Sequence, residues 1–105
     1  MSFFKLEIYV PEENVKNIVD SLNKEKLIGD GAYDYVYTNM KVKGHFRPLK
    51  GAKPHIGKIG EIEEVDEIKL ELRVKKEEIK KSLKIIRENH PYEVPVINVM
   101  ELLEY

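Results

Sequence analysis

The sequence predicts a single α+β domain over residues 1–105, in the order βαββαβ, with an antiparallel sheet and both helices on one face of it. Three observations predict it. Segments whose apolar residues repeat every second position alternate with segments that repeat at helical spacing. The stretch LEIYVPEENVK, Leu6 to Lys16, recurs as LELRVKKEEIK, Leu70 to Lys80, at a constant offset of 64 residues, so a strand-then-helix unit occurs twice. Each unit is followed by a further strand-like segment, and right-handed crossovers then interleave the four strands into one sheet.

Taken in order, Leu6, Ile8 and Val10 alternate with Lys5, Glu7 and Tyr9, the period of a half-buried strand. Pro11 suits an initial helical position, and Glu12 and Glu13 complement the positive end of the helix dipole. Val15, Ile18, Val19 and Leu22 then form one apolar stripe. Gly29, Asp30 and Gly31 break that pattern, and Tyr33 to Met40, rich in aromatic and β-branched residues, reads as the second strand. Ile68, Leu70, Leu72 and Val74 alternate with charges as the third strand. A second helix runs from about Lys76 to Asn89 with Ile79, Leu83 and Ile86 on its buried face. Val94 to Leu103 is the last strand. This order is the split βαβ, or ferredoxin-like, pattern. Two helices cover one side of such a sheet, yet Tyr9, Tyr35 and Tyr37 fall among its outward charges. The C-terminal stretch VPVINVMELLEY is apolar on both faces. An oligomer whose subunits cover the open sheet is the expected consequence.

Composition narrows the function classes. One modest core is what 105 residues can bury. The absence of cysteine excludes disulfides, thiolate metal sites and thiol nucleophiles. Eighteen basic against nineteen acidic residues argue against broad nucleic-acid binding. No apolar run approaches the roughly 20 residues of a membrane span, and the opening MSFFKLEIYV is strand-like rather than a signal peptide, so a cytoplasmic protein without a membrane partner is expected. Abundant Lys, Ile and Glu with no Gln match the composition of heat-adapted proteins.

Chemistry concentrates in GHFRPLKGAKPHIGKIG, Gly44 to Gly60, which holds four of the six glycines, two of the three histidines, four basic side chains and no acid. Neither common glycine-rich phosphate motif is present and no helix follows Gly60, so the glycines and prolines more simply shape a bend. On that reading its bases pair with the acids at Glu61, Glu63, Glu64, Asp66 and Glu67. Backbone amides with Arg47, Lys50, Lys53 and Lys58 would alternatively hold an anion. His90 with Glu93, in HPYEVP, offers imidazole and carboxylate to a transition metal, although a histidine just past a helix more often satisfies the last helical carbonyls. His45 and His55 read as exposed loop residues. Ser2, Ser21 and Ser82 lack a nucleophile setting, so no catalytic residue is assigned.

The two motifs together closely resemble the inserted domain of the YqfO-type, NGG-interacting-factor-three-like family, across almost the whole chain. The matching residues are Gly44, Phe46, Arg47, Pro48, Leu49, Gly51, Ala52, Pro54, Ile56, Gly57 and Gly60, then His90, Pro91, Tyr92, Glu93 and Pro95. The resemblance implies a PII/CutA-like ferredoxin fold and a homotrimer built through the sheets. His45, Lys50, Lys53 and His55 depart from the family text, so neither loop histidine inherits a role from it. The two-lobed body with its metal ligands is not in this sequence, so the hydrolase or cyclohydrolase activity suggested for the longer relatives does not transfer, and the chain resembles the insert on its own. The expectation is a non-enzymatic trimeric binding or regulatory module. Its expected ligand contacts are Arg47, Gly51, Gly57 and His55, its expected metal contacts are His90 and Glu93, and its expected ligand is a divalent metal ion or a small anionic effector. The alternatives are a structural module docking on a partner protein and, third, a metal-dependent enzyme with a site between subunits.

Overall fold

The computed structural model describes residues 2–103. Its elements are β1 (Phe3–Val10), α1 (Glu12–Lys24), β2 (Thr38–Phe46), β3 (Glu63–Lys75), a single 3-10 turn (Lys76–Glu78) leading into α2 (Ile79–Glu88), and β4 (Ile97–Glu101). The sheet order is β2-β3-β1-β4 with every neighbouring pair antiparallel. This is the ferredoxin-like α+β arrangement expected from the repeat. The two halves of the repeat lie side by side at the centre, with Leu6 opposite Leu72 and Ile8 opposite Leu70.

One face of the sheet carries the core. Leu6, Ile8 and Val10 from β1 and Ile68, Leu70, Leu72 and Val74 from β3 point at Ile18, Val19 and Leu22 of α1 and Ile86 of α2. The period of two on the strands and the helical stripe on α1 are what bring these residues to one surface. Val15, Ile79, Leu83 and Ile85 pack around that surface without full burial. Ser82 is buried among them because its hydroxyl donates to the Glu78 carbonyl one turn back, at 2.9 Å.

Two strand boundaries differ from the sequence expectation. Residues 33–37 do not join the sheet, because the end of α1 claims them. The Tyr35 N–H donates to Asn23 Oδ1 at 2.8 Å, the Tyr35 hydroxyl donates to Asp20 at 2.9 Å, and the Val36 N–H donates to the Ile28 carbonyl at 3.0 Å. Tyr35 sits at φ +51 in this tether, and Tyr37 packs against the core, so neither tyrosine is on the open face of the sheet. β2 instead runs on through Gly44, His45 and Phe46. There it pairs with an equally extended β3, and Lys43–Asp66 and His45–Glu64 close the ladder as cross-strand pairs. His45 is therefore a strand residue, not a loop residue. Beyond Glu67 the β2–β3 pair has no third strand beside it and projects as an arm, giving a molecule 47 Å long and 24 Å by 22 Å across.

β4 is shorter than the span from Val94 to Leu103 and lies at the sheet edge, where Val96 and Val99 are exposed within one chain. Glu104 and Tyr105, part of the apolar C-terminal stretch, lie outside the described residues. No helix among the described residues is long and apolar enough to cross a membrane.

Candidate functional site

The open face of the sheet has its own order. Lys5, Glu7, Lys69 and Glu71 alternate in sign across β1 and β3, with Lys5–Glu71 at 2.7 Å, Lys69–Glu7 at 3.3 Å and Lys69–Glu71 at 3.5 Å. Toward the arm this charged ladder gives way to a cavity of about 600 Å³. Its base is formed by Tyr9, Gly44, Phe46 and Glu67 from the strands, and the chain before β3 and the chain before β4 fold over it.

The segment from Arg47 to Ile62 holds its shape through its own backbone. The Gly60 N–H donates to the Pro48 carbonyl at 2.7 Å, closing the loop at its base, and the Ala52 N–H donates to the Leu49 carbonyl at 3.0 Å. Gly51, Gly57 and Gly60 occupy the left-handed region, at φ +98, +93 and +83. Gly57 is further confined, since a Cβ there would meet Glu63 Cγ at 2.7 Å. These glycines shape the loop, and neither Gly51 nor Gly57 lines the cavity.

The HPYEVP motif meets that loop. Both Glu93 carboxylate oxygens accept the Lys53 backbone N–H, at 3.1 and 3.3 Å, which clips the two segments together. The Tyr92 ring lies between His90, with ring centroids 4.9 Å apart, and His55, at 6.2 Å. His90 is 8% exposed and both of its nitrogens are engaged. Nε2–H donates to the Tyr9 carbonyl at 2.7 Å, and Nδ1 accepts the Tyr92 N–H at 3.2 Å, which defines a neutral tautomer. Burial lowers its pKa from the ordinary value of 6.5, against the opposing pull of the Tyr9 carbonyl. His90 thus ties the end of α2 to the end of β1 rather than presenting a free ligand atom.

The four bases of the Gly44–Gly60 stretch do not pair with the acids downstream. Among the described residues, Arg47, Lys50, Lys53 and Lys58 have no ion-pair partner, while Glu64 and Asp66 are taken by His45 and Lys43 across the ladder. Arg47 and His55 both line the cavity and are exposed, as does Glu93; Gly51 and Gly57 stand behind it. No group of three His, Asp or Glu side chains among the described residues is arranged to hold a metal ion. The described residues of one chain therefore do not by themselves build a three-ligand divalent-ion site.

Two residues at the base of the cavity escape sequence reasoning. Glu67 is 9% exposed, although its parity on β3 places it on the open face among ordinary surface charges. Its carboxylate lies over Gly44, where a Cβ would come within 2.7 Å of Glu67 Cδ. A glycine in mid-strand is the one sequence signal of that close approach. Tyr92 projects its hydroxyl into the same region, buried and without a hydrogen bond of good geometry. Burial first, then the charge of Glu67 and a loose hydrogen-bonding interaction with its carboxylate, push its pKa up to about 12.

Four antiparallel strands with two helices on one face make the fold CutA1/PII-like, with a pocket beside the β2–β3 arm. The comparisons with known proteins agree. Residues 58–105 match the family model described as CutA1 divalent ion tolerance protein. A protein of Staphylococcus epidermidis named GTP cyclohydrolase 1 type 2 homolog is 38% identical over 100 residues, 95% of this chain and 27% of its own length. The chain thus spans about a quarter of that relative. Among solved structures, a Bacillus cereus protein related to NIF3 superposes with a TM-score of 0.81 at 24% identity, over 96% of this chain and 26% of that one. The periplasmic divalent cation tolerance protein CutA of Archaeoglobus fulgidus superposes with a TM-score of 0.72 at 19% identity, over 100% of this chain and 87% of that one. The chain thus has a CutA1/PII-like ferredoxin fold and is similar, over nearly its whole length, to about a quarter of the longer NIF3-related proteins.

Proposed function

We propose that the protein is a non-enzymatic, homotrimeric binding or regulatory module that takes a small ligand in the cavity between the Arg47–Ile62 loop and the HPYEVP segment. One observation carries this reading. The two motifs that set the sequence apart, 43 residues apart from Arg47 to His90, converge on one cavity of about 600 Å³, a volume suited to a small organic molecule. Arg47, with no ion-pair partner among the described residues, supplies a guanidinium for an anionic group, and His55 stands beside it on the lining. Titration calorimetry with nucleotides, phosphorylated metabolites and divalent cations, each with wild type, Arg47→Ala and His55→Ala, tests the reading. The expected outcome is binding of an anionic compound that weakens about tenfold in Arg47→Ala, the loss of one charge-assisted contact; equal binding by all three proteins counts against it. The name of the Archaeoglobus fulgidus protein and the description of the CutA1 family refer to divalent ions, and the same titrations detect metal binding by the assembled protein.

A structural module docking on a partner protein is the second reading, favoured by the exposed Val94, Val96, Val99 and Leu103 along the β4 edge. Under it, alanine at Pro48 or Pro91 lowers the melting temperature or the trimer content and no ligand shifts either.

A further inference from the structure

The base of the cavity states what kind of ligand group belongs there. Glu67 is nine-tenths buried and makes no ion pair among the described residues. The lysines on the same face of β1 and β3 are committed elsewhere, Lys69 to Glu7 and Glu71 and Lys5 to Glu71. A buried carboxylate without a counter-charge is costly, and the cost falls when a donor arrives. The Tyr92 hydroxyl beside it is buried, makes no hydrogen bond of good geometry, and has its proton available to the Glu67 carboxylate. It stays protonated at neutral pH and adds an acceptor oxygen to those of the carboxylate. The walls are largely apolar, formed by Phe46, Pro48, Leu49, Ile56, Val94 and Val96, with Arg47, His55 and Glu93 also on the lining.

Resting on the reading of this cavity as a small-molecule site, we propose that it selects a ligand whose ammonium, amidinium or amino-heterocycle head sits on Glu67 and Tyr92, with a flat apolar body against the walls and its anionic group on Arg47. Gly44 is the device that makes room. A side chain there would occupy the space in which the carboxylate lies, and because a carboxylate is the far end of a flexible side chain, Gly44→Ala moves the carboxylate rather than unfolding the strand. A metal ion is the poorer occupant, since no three-ligand group of His, Asp and Glu exists among the described residues.

Calorimetry with benzamidine and phenethylamine, against benzoate and benzyl alcohol as anionic and neutral controls of similar shape, tests the proposal on the full chain. Wild type is expected to bind the two cations and not the neutral control. Glu67→Gln is expected to weaken them at least tenfold while melting at or above the wild-type temperature, and Tyr92→Phe and Gly44→Ala to weaken them by smaller factors. Equal affinity of wild type and Glu67→Gln for benzamidine, or equal binding of benzyl alcohol, overturns it. If anions bind through Arg47 while the cations do not, the binding-module reading stands and the present one falls; if nothing binds, both fall. Loss of oligomer in Glu67→Gln with no probe bound by wild type assigns the carboxylate to a subunit contact and overturns the proposal as well.

Discussion

His90 shows how one residue's role is decided by its surroundings. Its imidazole is held neutral by burial, with the Nε2 proton on the Tyr9 carbonyl and Nδ1 under the Tyr92 N–H. The unfolded chain takes up a proton near the ordinary value of 6.5, and the folded chain only at a lower pH. Between those two values the unfolded state binds more protons, so stability rises with pH there. The contribution is complete above about 6.5 and is lost as the pH falls through the folded value. Urea unfolding of wild type between pH 8 and 5 is expected to show that fall, and His90→Gln a flatter profile from a lower starting stability. Parallel profiles would remove His90 as the source. The same neutral, doubly engaged imidazole explains why the metal pairing of His90 with Glu93 is not formed within one chain, since the carboxylate is spent on the Lys53 N–H.

The segment between β2 and β3 behaves as an element in its own right. Backbone hydrogen bonds close it, Glu93 clips it to the chain before β4, and glycines at positive φ turn it. Gly57 and Gly51 separate two reasons for a glycine. Both lie at positive φ, but a Cβ at Gly57 also collides with Glu63 while the space around Gly51 is open. Gly57→Ala is expected to cost about 1–3 kcal/mol, and Gly51→Ala less. Denaturant midpoints of the two variants check the order, and the reverse order would show that the loop relaxes around Gly57. The glycines and prolines were legible in the sequence as a β connection. The extension of β2 through Gly44 to Phe46 was not, because a glycine flanked by a lysine and a histidine lacks the apolar alternation of a strand. Only the opposite strand, with Asp66 and Glu64 facing that lysine and histidine, supplies the pairing.

At the scale of the whole molecule the open face of the sheet is the dominant feature. Met40, Val42 and Phe46 of β2 and Met100 of β4 share it with the alternating charges of β1 and β3, and no helix covers it. A homotrimer that covers this face, as proposed, is expected to sediment at three times the chain mass of 12.3 kDa. Met40 faces Lys69 across the ladder, so Met40→Arg places like charges opposite each other and is expected to shift the protein toward monomer while leaving the helix-side core intact. A trimer undisturbed by that change would place the subunit contact elsewhere. A wild-type monomer at micromolar concentration would remove the trimer altogether.

The amino-acid sequence alone determined the element order, the central pair of strands and the core. Period-two and helical spacings fix which residues face inward, and a repeated strand-helix unit has few ways to share a sheet. It also carried the two motifs, but as separate texts. The tertiary structure decided that they close over one cavity, that Glu67 is buried rather than solvated, that Gly44 exists to admit its carboxylate, and that Tyr35 and Tyr37 belong to the α1 side. Those outcomes depend on contacts between residues distant in the chain, and a charge on the outward parity of a strand reads the same whether a loop folds over it or water does.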